Sequence, residues 1–137
     1  MIKEALREEL SDAWAKTLAM TESVAESVRF RIPAGHTWSA MMVLDHLRIL
    51  DEQVTAVVQR LVTRAKKKGA GTPPVELSGL KELNHYEEGV MDAPSVPGME
   101  PRDPAPPTVA RDAAAARSNL LSTLEDVWTV DCRDARF

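Results

Sequence analysis

The chain of 137 residues is poor in several things that would announce a function, beginning with cysteine, of which it has one, and aromatic residues, which make up 4%. With Cys132 alone, neither an intramolecular disulfide nor a thiolate zinc cluster can form. No apolar run approaches the roughly 18–20 residues of a membrane span, and Met1-Ile-Lys-Glu-Ala-Leu-Arg-Glu-Glu9 is charged where a signal peptide would be apolar. Excess positive charge is also missing: 17 Lys+Arg stand against 21 Asp+Glu, a net charge of -4, so neither nucleic acid nor an anionic membrane is expected as a partner. There is no Gly-rich phosphate loop, no GxSxG, no paired-cysteine motif and no HExxH. No stretch alternates with period two, so no sheet is predicted. These absences point to a cytoplasmic, all-α protein, and the length suits a single domain over residues 1–137 with a real core.

What is present is helical periodicity. Residues 2–31 contain no Gly or Pro, and Ile2, Leu6, Leu10, Ala13, Trp14, Leu18, Ala25, Val28 and Ile32 recur at three- and four-residue steps, predicting one long amphipathic helix stopped by Pro33-Ala-Gly35. Glu4, Glu8 and Glu9 suit the positive end of its dipole. A second helix is expected over 38–68 behind Thr37 as N-cap, with the stripe Ala40, Val43, Leu44, Leu47, Leu50, Val54, Val57, Val58, Leu61 and Val62 turned to the core. Lys66-Lys-Lys68 before Gly69 reads as a solvated helix end, in preference to an anion site. A third helix is expected over 108–130, N-capped by Thr108, with Val109, Ala113, Ala116, Leu120, Leu121, Leu124, Val127 and Trp128 on one side. The alanines at 113–116 would let a neighbour approach closely.

Between the second and third helices, eight of the nine prolines and five of the six glycines fall within 69–107. This predicts an irregular crossover with one helical turn near 79–88 and an extended Pro-rich stretch over 94–107, either a docking segment or a plain connection between helices.

The most informative residue is His46. It lies one before Leu47 and four before Leu50, which points its imidazole from the apolar stripe into the bundle, where its ring nitrogens must find partners or a metal. Taken alone, such a histidine is more simply a satisfied core residue. The run Ile32-Pro-Ala-Gly-His-Thr-Trp-Ser-Ala-Met-Met-Val-Leu-Asp-His-Leu-Arg-Ile-Leu-Asp-Glu52, however, resembles the start of the second helix in DinB-like (YfiT-like) proteins. In that family a Pro-containing turn leads into Trp-Ser and, eight residues after the tryptophan, a metal-binding histidine; Trp38, Ser39 and His46 match at that spacing. The resemblance covers nearly the whole chain. It implies an up-and-down, antiparallel-type four-helix bundle holding a divalent metal, Zn or Ni, on three histidines, with metal-dependent transfer or isomerisation involving a small thiol.

The family's other two ligands come from a His-x-x-x-His pair on a fourth helix, and this sequence has no such pair. Only His46 carries over as a ligand position, and the chain reads as one helix short. His36 is ten residues from His46 across a helix start, on the order of 15 Å along the axis, too far to share an ion without a fold-back of the turn. His85, in Leu83-Asn-His-Tyr-Glu-Glu88, is a weaker candidate that could join His46 with Glu87 or Glu88; loop residues of these types are usually solvated. Asp45 and Glu52 are expected as exposed charges, and Cys132 as an ordinary thiol. Two functions follow. One is a truncated or degenerate DinB-like member with an incomplete metal site, a homodimer through its uncovered helical face. The other is an active metalloenzyme of the thiol-transferase or isomerase type, completing its site from the crossover or a second subunit and acting on a small-molecule or thiol substrate.

Overall fold

The computed structural model describes residues 2–71 and 98–132. They form three α-helices, α1 (Ile2–Ser23), α2 (Ala40–Lys67) and α3 (Val109–Val127), with a short 3-10 turn at Glu26–Val28 and no strand among the described residues. No described helix is long and apolar enough to cross a membrane.

The first helix stops eight residues earlier than its Gly- and Pro-free run predicts. Local donors explain the break. The Thr17 and Thr21 hydroxyls donate to the carbonyls of Ala13 and Thr17, and the Ser23 hydroxyl donates to Met20 at 2.6 Å. Arg29 then folds back, its guanidinium donating to Val24 O at 2.8 Å and Glu22 O at 3.1 Å. The Met20, Glu22 and Val24 carbonyls, which a continuing helix would have satisfied, are taken by side chains instead. Ala25, Val28 and Ile32, expected on the buried stripe, are consequently exposed.

Helix α2 begins at Ala40, with Ser39 and not Thr37 as its N-cap: the buried Ser39 hydroxyl accepts from Met42 N at 3.1 Å. Its C-terminus closes as the glycine predicts. Gly69 takes φ +68°, Gly69 N donates to Lys66 O and Ala70 N to Ala65 O, the paired bonds of a Schellman ending. At α3, Thr108 does not cap the backbone; its hydroxyl donates to the Asp112 carboxylate at 2.8 Å.

Helices α2 and α3 run in the same direction, a departure from the expected up-and-down order, in which consecutive helices alternate. Met41, Met42 and Leu44 pack with Ala105, Val109 and Ala113 at one end, and Val62 and Ala65 pack with Val127 and Val130 at the other. Helix α1 runs oppositely, Lys3 and Arg7 pairing with Glu125 while Trp14 meets the first cluster and lies under the Arg117 guanidinium, 5.4 Å from its ring centroid. Val109, Ala113 and Ala116 are all buried along α3, where their small side chains allow a close approach.

The rotational setting of α2 corrects the expected core face. The buried positions are Met41, Met42, Leu44, Asp45, Asp51, Val62 and Ala65, whereas Val43, Val54 and Val57 of the predicted stripe are 43%, 45% and 38% exposed. The helix is turned by about one residue step, ~100°, from the expected face. Two buried carboxylates decide this turn, because each meets an arginine from beyond the helix: Asp45 meets Arg102 and Asp51 meets Arg117. The displaced ridge Val43, Leu47, Leu50, Val54, Val57, Leu61 is half-buried to exposed, with Leu47 also packing against the cluster of Met41, Leu44 and Val109.

Candidate functional site

The site is built where the first turns of α2 meet the segment entering α3. Asp45 is fully buried, and its carboxylate collects four hydrogen bonds. Arg102 supplies three, from its backbone N at 2.8 Å and its Nε at 3.1 Å to Oδ2, and from Nη2 at 2.6 Å to Oδ1. Arg48 Nε supplies the fourth at 2.8 Å, and Arg48 also donates to Glu52 at 2.7 Å. Burial by itself would raise the pKa of Asp45; the donors from Arg102 and then Arg48 overcome it and hold the carboxyl well below the usual carboxylate range. The expectation that Asp45 is an exposed charge is therefore overturned. Glu52 is exposed as expected, with Arg48 as its partner.

The segment held by this pair spans residues 98–105. Gly98 starts it at φ +85°, with its N–H donating to the Glu100 carboxylate at 2.9 Å, and Pro101 and Ala105 are buried against the helices. A Cβ at Gly98 would meet nothing, so the backbone angle and not crowding favours glycine there. Gln53 touches the same segment through Gly98 O at 3.4 Å.

His46 is next to Asp45, and its Nδ1 lies 2.6 Å from the Met99 carbonyl oxygen. A carbonyl only accepts, so the imidazole proton resides on Nδ1, and in the neutral ring Nε2 carries the lone pair. Trp38 packs on the imidazole with ring centroids 4.9 Å apart and planes inclined by 41°. His46 is thus half-buried beneath the 98–105 segment and does not enter the core between α2 and α3, a correction that follows from the same turn of α2.

The other candidates do not gather around it. His36 is exposed in the turn before α2, its backbone N–H donating to Pro33 O. His85, Glu87, Glu88 and the expected helical turn at 79–88 lie outside the described residues. Among the described residues no three His, Cys, Asp or Glu side chains converge as a metal-ligand set. Cys132 packs half-buried against the cluster of Val62, Ala65 and Val130, and burial followed by the neighbouring Asp131 pushes its thiol up, the opposite of an activated nucleophile. The space between α1 and α3, bounded by Leu6, Leu10, Leu121 and Trp128, amounts to about 10 Å³, room for no more than one water molecule.

Sequence reasoning missed Asp51 as well. Its carboxylate accepts from Arg117 Nε at 2.9 Å, and burial raises its pKa against the pull of that guanidinium. The i, i+3 and i, i+4 spacing of Asp45, Arg48 and Glu52 was the one local signal of the network. Arg102 and Arg117 stand 57 and 66 residues from their carboxylates, beyond any local pattern. Compared with protein-family models, curated proteins and solved structures, the chain matches none of them.

Proposed function

We propose that the chain is a DinB-like helical protein that works as a homodimer, with the outer ridge of α2 as the surface that joins two copies. The supporting observation is that ridge: Val43, Leu47, Leu50, Val54, Val57 and Leu61 advance in steps of 4, 3, 4, 3 and 4, the spacing of a helix-pairing seam, with three of its valines more than a third exposed. The spacing is the same read in either direction, so a second α2 laid antiparallel across a two-fold axis sets Val43 against Leu61, Leu47 against Val57 and Leu50 against Val54. Every layer then holds one leucine and one valine. Antiparallel pairing also keeps the cationic end of α2, with Arg60 and Lys67, away from its counterpart. Size-exclusion chromatography with light scattering is expected to give twice the 15.1 kDa chain mass for the wild type and the chain mass itself for Val54→Glu. A stable wild-type monomer at low micromolar concentration would overturn this.

A second reading is favoured by one observation, the hydrogen bond from His46 Nδ1 to Met99 O. Metal-ligating histidines characteristically donate their other ring N–H to a carbonyl or carboxylate, and His46 does so. In this reading the protein is a divalent-metal-dependent enzyme of the thiol-transferase or isomerase type, with Zn or Ni on His46 and further ligands from His85 or a second subunit. A bound metal would polarise a substrate oxygen or stabilise a thiolate. Metal analysis tests it: stoichiometric Zn or Ni that is lost in His46→Ala supports the reading, and metal-free wild type after growth with both ions rejects it.

A further inference from the structure

Asp45 and His46 are adjacent in sequence, leave α2 about 100° apart, and are both tied to one short segment of chain. Asp45 takes three of its four hydrogen bonds from Arg102, and one of these comes from the Arg102 backbone. His46 takes the carbonyl of Met99, three residues earlier. Between them Pro101 is buried, and Glu100 closes the turn by accepting from Gly98 N. The position of the Met99 oxygen therefore follows from where Arg102 is anchored, and Arg102 is anchored by Asp45. The remaining lateral tie, Gln53 to Gly98 O, is long at 3.4 Å.

We infer that Asp45 is a positioning residue for His46. Through Arg102 it holds residues 99–102 so that the Met99 carbonyl accepts a hydrogen bond from Nδ1–H, which keeps the proton on Nδ1 and leaves Nε2 as the one basic nitrogen the imidazole offers to a ligand. A neutral imidazole has two tautomers, and which one is present is set by the hydrogen bond its other nitrogen makes. Here that bond is made by backbone whose placement depends on a buried carboxylate one residue away. The purpose of the arrangement rests on reading His46 as a ligand-binding residue; the latch itself rests on the hydrogen bonds alone.

The test is nitrogen-15 NMR of the His46 ring, assigned with His46→Ala, at a pH where the imidazole is neutral. The wild type is expected to carry its proton on Nδ1. Arg102→Gln removes the guanidinium from a half-exposed position, leaving Arg48 on Asp45, and is expected to shift the tautomer ratio at least several-fold toward Nε2–H with helical content unchanged. Asp45→Asn is expected to shift it further, and Arg102→Lys to give an intermediate ratio. A wild-type ring protonated on Nε2 would overturn the inference, as would folded Arg102→Gln and Arg102→Lys proteins with the wild-type tautomer. Because this readout needs no metal, its failure overturns the latch whether or not His46 binds one, while a wild-type protein that takes up neither zinc nor nickel overturns the metal reading.

Discussion

Asp45 joins two arginines on one fully buried carboxylate, and the consequence of removing it differs from that of removing a surface charge. Truncating one partner of a buried, hydrogen-bonded ion pair strands the others, so Asp45→Asn is expected to lower unfolding free energy by on the order of 2–3 kcal/mol, read as a lower urea midpoint at pH 7. Arg111 and Asp112, 79% and 35% exposed, form an ion pair whose loss should be barely measurable. The pH dependence has a definite sign. The folded pKa of Asp45 lies below its ordinary value of 3.8, so its contribution is present above that value and lost as pH falls through the folded pKa. Asp51 is raised by burial, so its contribution has the opposite sign: present below the ordinary value and lost as pH rises through the folded one. Asp45 carries the larger shift and dominates. Urea midpoints at pH 3 and pH 7 should therefore differ less in Asp45→Asn than in the wild type, and an unchanged difference would count against the buried pair.

At the scale of elements, the ends of the helices are set by single side chains. Ser39 is buried and its hydroxyl accepts the Met42 N–H, so Ser39→Ala should cost about 1 kcal/mol in chemical denaturation, whereas Thr37→Ala, at the residue the spacing favoured, should cost little. Gly69→Ala should cost a similar amount, because φ +68° penalises a Cβ even though nothing lies within 4 Å of it. Arg29 bonds the last carbonyls of α1 from outside the helix. Arg29→Ala is expected to increase amide hydrogen exchange over residues 20–28, the end of α1 and the 3-10 turn after it, while leaving α2 protected. None of these ends was written by glycine or proline except at Gly69, which is why the C-terminus of α2 was legible and the end of α1 was not.

At the scale of the whole molecule, the core of the described residues lies mainly at the contact between α2 and α3, and α1 lies against it through Trp14 and the ion pairs at Glu125. Ala113 is fully buried at that contact, and Ala113→Leu should destabilise by about 1–3 kcal/mol through overpacking, with the thermal midpoint as the measure. The exposed ridge makes a second prediction at this scale. If two copies join through α2, unfolding is linked to association, so the thermal midpoint of the wild type should rise with protein concentration and that of Val54→Glu should not.

What the amino-acid order determined by itself was the helical class and the Schellman ending at Gly69, because each rests on neighbours within a turn or two; it drew attention to His46, but it carried the first helix to Arg31, eight residues past its end at Ser23. Which face of α2 is buried was decided only in three dimensions. Two apolar stripes lie about a quarter-turn apart on that helix, and hydrophobicity does not rank them. The choice falls to Asp45 and Asp51, whose burial is tolerable only where Arg102 and Arg117 arrive to pair with them. That same choice places His46 beneath the Met99 carbonyl and leaves the valine ridge outside. The candidate site and the candidate interface are therefore two results of one long-range pairing of charges.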